Sequence, residues 1–345
     1  MEKLSSMIRI FEYAKFPDTC VIDRNRYEVA KRLSSKNFAV CAFGNRSSEV
    51  RPPDHINLIH PTNRIDTISQ VFSFDPNIIH TRAWPRCLIM RYLIRLRNPK
   101  CKHILTLYSV PFTFLSTSEG LYKWGKFLAM DADVVRVVSK NTAQIVERQY
   151  NVDSIVIHDG IDTRVFEPRK HCNERLQILF IGRYVEFKHP HYVVKLAKYF
   201  PRCDFVLYGS GDLRNSLVAG ASKLKNVEVN SPVPHERLPS IYANSDIFLF
   251  PSVIEGWSTV VLEALACGLP VVCFNTSSLP ELVQHGKSGL LANNFREMRE
   301  HLEYLTENEE ARREFSRNAR SRALEFDWDL IAQKWAKLFE QVGRA

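Results

Sequence analysis

Pro251-Ser252-Val253-Ile254-Glu255-Gly256-Trp257-Ser258-Thr259-Val260-Val261-Leu262-Glu263-Ala264-Leu265-Ala266-Cys267-Gly268-Leu269-Pro270 is the stretch on which the reading of this chain turns. The apolar run Asp246 to Phe250 leads into Pro251 and reads as a strand. A short loop follows, and the spacing predicts a helix over Thr259 to Cys267. Ser258 is placed to cap that helix, and Gly268 followed by Pro270 closes it. Such a loop presents backbone N–H groups and a positive helix end at the carboxyl edge of a strand. Open parallel sheets bind phosphorylated ligands there.

Glu255 falls on the loop and Glu263 about two turns into the helix. A helical Glu is most often a solvated surface residue. A carboxylate beside a phosphate site needs another task, and hydrogen bonding to sugar hydroxyls is one. Around this segment, Ile178 to Arg183, Phe205 to Tyr208 and Val271 to Phe274 are further short apolar runs, with helical stretches at His189 to Tyr199 and Leu238 to Asn244. The first half alternates in the same way. Strands are expected at Met7 to Tyr13, Phe38 to Phe43, Ile78 to His80, Ile104 to Tyr108 and Val134 to Val138. Helices are expected at Asp23 to Lys36, Arg86 to Asn98 and Asn141 to Tyr150. Alternation of this kind gives parallel sheets covered on both faces. The expectation is α/β: two doubly wound, Rossmann-like domains facing across a cleft, with the boundary in the polar stretch 167–173.

A chain of 345 residues accommodates two such domains. Its 45% apolar and 25% charged content is that of a globular protein, and no apolar run of 18 residues marks a membrane span. Residues 1–10 carry Glu2, Lys3 and Arg9 and read as a first strand, not a secretory signal. Eight cysteines without a C-x-x-C pair suit a reduced, cytoplasmic setting and argue against a structural zinc site. The net charge of +9 is one-sided: residues 1–170 hold 26 Lys+Arg against 17 Asp+Glu, the rest 21 against 21. No acidic residue occurs from Asn77 to Ser118. The first half therefore suits an anionic partner.

Further blocks accompany the opening stretch: Ile157-His-Asp-Gly-Ile-Asp162, Gly182-Arg183 with Lys188 five residues on, Tyr208-Gly209-Ser210-Gly211-Asp212, Pro280-Glu281, Gly286-x-x-Gly289 and Phe326-Asp-Trp328. With Glu255 and Glu263 in E-x7-E spacing, the set resembles the retaining family 4 glycosyltransferases, which have the GT-B fold. The resemblance is strong over residues 155–292 and general over 1–150. It implies an N-terminal acceptor-side domain, 1–168, with 326–345 crossing back onto it, and a C-terminal donor domain, 169–325.

The implied reaction moves a sugar from a nucleotide-sugar to a hydroxyl on a glycan or lipid-linked acceptor, with retention and without a metal or cofactor. Arg183 and Lys188 would hold the diphosphate, Glu255 would meet the donor sugar, and Glu263 the ribose hydroxyls. Backbone N–H groups of Gly256, Trp257, Ser258 and Thr259 would meet the phosphate nearest the sugar. Gly182, Gly209, Gly211 and Val233 complete the donor-side positions, and Tyr108 lies on the acceptor side. Two fixed cations and a helix end answer the charge of a leaving diphosphate electrostatically. Taken singly, Arg183 or Lys188 reads as a solvated surface cation. The chain departs from the family pattern: no Gly pair occurs in Phe16 to Asp23, where Cys20-Val21 stands instead. Tyr108 occupies the place of a His, and Ser258 and Ser278 the places of glycines. Outside this reaction stand a nucleotide-sugar epimerase of similar fold and a non-catalytic nucleotide-sugar or glycan binding protein.

Asp131-Ala-Asp133 spells a metal-binding D-x-D but precedes a strand instead of following one. Gly209-x-Gly211 lacks the third glycine of a dinucleotide fingerprint. No aromatic–cation pattern of nucleic-acid recognition is present. From Arg86 to Lys102, the apolar stripe Leu88, Ile89, Tyr92, Leu93, Leu96 is expected to face the core, with Arg91, Arg95 and Arg97 outward. Such cations also suit peripheral contact with an anionic membrane.

Overall fold

A computed structural model describes residues 7–16, 20–45, 51–83, 85–108, 119–169 and 174–344. They fall into two compact units, one running to Asp159 and resuming at Trp328, the other Gly160–Asp327. Of the polar stretch 167–173, residues 170–173 lie outside the described residues, and Glu167, Pro168 and Arg169 are exposed. The exchange of cores comes earlier: Ile157 packs in the first core, Ile161 and Phe166 in the second.

The first unit contains β1 (Ile8–Phe16), α1 (Val21–Ala30), β2 (Phe38–Gly44), β3 (Ile56–Ile59), α2 (Arg64–Phe74), β4 (Ile78–Arg82), α3 (Pro85–Arg97), β5 (Lys102–Leu107), α4 (Glu119–Asp131), β6 (Val134–Val137), α5 (Lys140–Tyr150) and β7 (Ile155–Val156). Its sheet is parallel, in the order β3-β2-β1-β4-β5-β6-β7. The central strands are apolar runs buried on both faces, as helices above and below a parallel sheet require. Alternation in the sequence does not reveal β3, α2 or α4. The four residues of β3 sit at the edge with Asn57 exposed, so no period emerges.

The second unit contains β8 (Gln177–Ile181), α6 (Pro190–Ala197), β9 (Asp204–Tyr208), α7 (Arg214–Ala221), β10 (Val227–Asn230), α8 (Leu238–Ala243), β11 (Ile247–Phe250), α9 (Thr259–Ala266), β12 (Val271–Phe274), α10 (Leu279–Leu282), β13 (Gly289–Ala292), α11 (Phe295–Glu307) and α12 (Glu309–Leu324). Its parallel sheet runs β10-β9-β8-β11-β12-β13. The last helix, α13 (Trp328–Gly343), belongs to the first unit, where Ile331, Trp335, Leu338 and Phe339 join the core beside α1. Both sheets are doubly wound, and the strand order reverses between β1 and β4 in one and between β8 and β11 in the other. Ligands of such sheets bind at the carboxyl ends of the strands flanking the reversal.

One expectation is reversed in part: Arg97 is exposed as expected and the Leu88 side chain lies outside the described residues, but the buried face of α3 differs. The stripe that α3 buries is Cys87, Met90, Arg91 and Ile94, at i, i+3, i+4, i+7, while Ile89, Tyr92 and Leu96 are exposed. Leu96 is 81% exposed and Arg91 1%. The cause lies in Asp131 and Asp133: Arg91 pairs with the first and Arg95 with the second. A charged side chain is kept inside only with such a partner, and these two carboxylates turn the helix. Both aspartates of the D-x-D are thereby engaged, and Asp133 also accepts from the backbone N–H of His103 at 2.7 Å.

Candidate active site

At the reversal of the second sheet, the segments after β8 and β11 are held together by backbone contacts. After β8 come Gly182, Arg183 and Tyr184. Gly182 N–H donates to Tyr208 at 3.1 Å and Tyr184 N–H to Ser210 at 2.7 Å, while Leu213 N–H returns to Tyr184 at 2.9 Å. This zipper explains the glycines on the β9 side. A Cβ on Gly209 would stand 1.9 Å from the Gly182 carbonyl oxygen. Gly211 has φ +148°, and a Cβ there would lie 2.4 Å from the Tyr184 oxygen. The structure thus gives Gly182, Gly209 and Gly211 a task in close loop packing. Fully buried Tyr184 donates its hydroxyl to Asn230 O at 2.8 Å. Arg183, between the two clamped residues, is exposed, with its guanidinium 5.3 Å from the Phe187 ring centre.

Lys188 and Glu255 form an ion pair whose side chains are 13% and 8% exposed. They come from different sides of the reversal: Lys188 ends the turn Glu186–Lys188 after β8, and Glu255 sits on the loop after β11. That loop is fixed by Val253 N–H donating to Phe187 O at 3.0 Å and by the Ser277 hydroxyl donating to Val253 O at 3.0 Å. The Lys188 ammonium also lies 5.1 Å from the Phe250 ring centre.

The loop continues through Gly256 and Trp257 to Ser258 at the head of α9. Trp257 packs edge-on against Phe326 at 5.2 Å. Ser258 does occupy the cap position, but its hydroxyl caps nothing: its Oγ is buried without a partner. Its ψ of 99° holds the backbone in the extended region the position requires, and Ser258 O accepts from Leu262 N–H at 3.2 Å. The first N–H groups of α9, starting at Thr259, thus receive no side-chain cap from it. Gly268 closes the helix at φ +75°, with Leu269 N–H returning to Ala264 O at 2.9 Å, as expected.

Glu263 is 6% exposed, not solvated. Its Oε2 accepts from Tyr242 Oη at 2.8 Å, and His235 Nε2 lies 3.6 Å from Oε1. Burial, then the Glu263 charge, pushes the Tyr242 phenol well above its ordinary pKa, so it stays a donor. Sequence reasoning missed both partners, although the buried side of α8 was a signal for Tyr242. Val233 is half-buried on the loop between β10 and the turn His235–Arg237.

Tyr108 belongs to the first unit, just past β5. Its hydroxyl lies 3.3 Å from Arg26 Nε, which donates to it, and its ring lies 5.7 Å from the Arg136 guanidinium. Around it is a buried charge network that sequence reasoning did not find. His80 bonds Glu12 at 2.8 Å and Thr106 at 2.7 Å. Arg136 donates to Asp159 at 2.7 Å, and Asn25 donates to the same carboxylate at 2.8 Å. Arg26 stands 3.4 Å from Glu12. These residues are scattered over 147 positions between Glu12 and Asp159, with no local spacing to betray them.

Among the described residues no helix is long and apolar enough to cross a membrane. Residues 163–322 match the family model described as "Glycosyl transferases group 1", and residues 27–165 the one described as "Glycosyltransferase Family 4". An uncharacterized 41.2 kDa protein in the cps region of Klebsiella pneumoniae is 30% identical over 272 residues, covering 70% of this chain and 74% of its own. Sucrose-phosphate synthase from Thermosynechococcus elongatus superposes with a TM-score of 0.81 at 18% identity, covering 97% and 99% of the two chains. HepE from Anabaena, solved in complex with UDP-glucose, gives 0.77 at 16% identity, covering 97% and 100%.

Proposed function

The chain belongs to the glycosyltransferases of GT-B fold, and we propose that it transfers a hexose-type sugar from a uridine diphosphate sugar to a hydroxyl on a glycan or lipid-linked acceptor, with retention and with no divalent metal on the diphosphate. The observation that carries this reading is the Lys188–Glu255 pair at the strand-order reversal, beside the uncapped head of α9. A lysine has three donors. One can stay on Glu255 while the others meet the diphosphate. Arg183, exposed and held between two clamped residues, supplies the second cation. Together with the N–H groups from Gly256 to Thr259, they oppose the charge that grows as the sugar–phosphate bond breaks. Glu255 then lies between the diphosphate and the sugar, and Glu263, fixed by Tyr242 and His235, takes the ribose hydroxyls. The uridine assignment is supported by HepE, crystallised with UDP-glucose.

In this reading no side chain acts as nucleophile. The leaving phosphate takes the acceptor proton on the same face of the sugar, and the configuration is retained. The second unit is the donor domain, while the first, with Tyr108 and its basic excess, serves the acceptor. Exposed Ile89, Tyr92 and Leu96, flanked by exposed Arg86, Arg97 and Lys100, suit peripheral contact with an anionic membrane at the cytoplasmic surface. Glu255→Gln tests the core of the proposal. A contact that strengthens in the transition state appears in kcat, so transfer should fall by a factor on the order of 10² while UDP still binds. Near-normal turnover by this variant rejects the role, and activity that vanishes in excess chelator and returns with Mg²⁺ or Mn²⁺ rejects metal independence.

A further inference from the structure

Glu186-Phe187-Lys188-His189-Pro190-His191 runs from the turn after β8 into α6. The turn Glu186–Lys188 ends at His189, whose φ of 44° and ψ of 45° put it in the left-handed region, and Pro190 then starts the helix. This sharp corner folds three ligand-bearing side chains onto one spot. One ligand atom each from Glu186, His189 and His191 lies within 4.8 Å of the others. A second observation is independent of that clustering: Nδ1 of His189 is covered from solvent and has no hydrogen-bond partner. The ring is also held in place. It stacks on Tyr192 at 4.9 Å and 13°, and Tyr192 in turn packs edge-on against Phe274 and Phe295.

We propose that Glu186, His189 and His191 bind a transition-metal ion of the zinc class and that the ion clamps the segment carrying Lys188. Two imidazole nitrogens and one carboxylate oxygen are the donor set of three-ligand zinc sites, with the fourth position open to water. Imidazole selects zinc, copper or nickel over magnesium and calcium, which prefer oxygen. The ion takes no part in bond breaking; Lys188 and Glu255 do not belong to its ligand set. Linking Glu186 to His191 fixes the chain on both sides of Lys188. The clamp rests on the reading of Lys188 as a diphosphate contact, whereas the metal site does not.

The test is calorimetric titration of the full chain, tag-free and stripped with chelator, with zinc sulfate in a non-coordinating buffer. One ion per chain is expected, and His191→Asn and Glu186→Gln should each weaken binding at least tenfold. Cobalt(II) in place of zinc should give tetrahedral visible absorption that His191→Asn abolishes. UDP affinity should change at least threefold with zinc in the wild type and stay unchanged with zinc in His191→Asn. Absence of binding, or wild-type zinc affinity in both variants, overturns the site. Zinc bound as expected with no change in UDP affinity overturns the clamp. Lys188→Ala separates the two readings: wild-type UDP affinity in that variant rejects the diphosphate contact and leaves the zinc titration standing.

Discussion

The two units wind the same kind of parallel sheet around opposite kinds of interior. In the second, a single large cluster of aliphatic and aromatic side chains fills both faces of the sheet. Glu263 is the one charged residue below 9% exposure among its described residues, and it is held by Tyr242 and His235. In the first unit, Glu12, Arg26, His80, Arg136 and Asp159 are buried together among β1, β4, β6, α1 and α13, and Arg91 lies separately under α3. In the proposed function the second unit keeps its charge for the ligand, whereas the first buries charge within its own architecture. Removing water from an ion is expensive, and a buried pair roughly balances that expense only while both members remain. The first unit should therefore be fragile to single charge changes and to acid, and the second fragile in function more than in folding.

The largest effect should come from breaking a pair inside the first unit. Asp159→Asn leaves the fully buried Arg136 charge without its carboxylate, and the loss should be about 3–5 kcal/mol. Urea denaturation followed by intrinsic fluorescence would measure it, and a change under 1 kcal/mol (roughly the size of a surface pair) would mean that the network is not the support it resembles. Acid should act on the same interior. Burial, reinforced by the Arg26 charge, lowers His80 from 6.5 to about 4, and burial lowers His103 to about 3. The unfolded chain then takes up these protons at higher pH than the native one. Stability present above pH 6.5 is lost as pH falls through 6.5 towards 4. Melting temperature against pH should be steeper in this window for the wild type than for His80→Gln. Identical slopes would remove His80 from the account.

In the second unit the comparison is sharpened by Arg183→Ala. Arg183 is exposed, so folding should hardly notice its loss. Binding should: a hydrogen bond to a charged group is worth about 1.5–3 kcal/mol, or on the order of 10- to 100-fold in UDP affinity. Affinity for uridine, which lacks the diphosphate, should not change. Equal losses for UDP and uridine would assign Arg183 to the base or to the fold instead.

This contrast also accounts for what the sequence discloses. Strands β11 and β12 are uninterrupted apolar runs, and β8 is one after Gln177; Gly182, Pro251 and Pro270 punctuate them, so the pattern can be read directly. The loops after β8, β9 and β11 carry local, ordered signals: Gly182-Arg183 and Lys188, Gly209 and Gly211, and the E-x7-E pair. The pairing of Lys188 with Glu255 spans 67 positions and follows only once β8 and β11 are neighbours. On α3 the hydrophobic period misleads, because Arg91 is buried while Ile89, Tyr92 and Leu96 of the expected stripe are exposed. A stripe at helical spacing identifies a helix but not which face is inward. On α3 that choice was made by Asp131 and Asp133, about 40 residues away.

The smallest expected effect tests the surface that this reversal leaves outside. Ile89, Tyr92 and Leu96 recur at i, i+3, i+7 on the exposed side of α3, and Arg86, Arg97 and Lys100 flank them. Each cation near an anionic surface contributes about 1 kcal/mol, and the attraction fades beyond a Debye length of about 8 Å at physiological salt. Changing Arg86, Arg97 and Lys100 together to Gln should lower binding to phosphatidylserine vesicles most at low salt, with thermal stability and UDP affinity nearly unchanged. Arg91→Gln makes the opposite pattern. It lies on the buried side, leaves Asp131 unpaired and should lower stability without a specific effect on vesicles. If the triple variant binds vesicles as the wild type does at low salt, the outward face of α3 is a solubilising surface, and the basic excess of the first half serves an acceptor in solution.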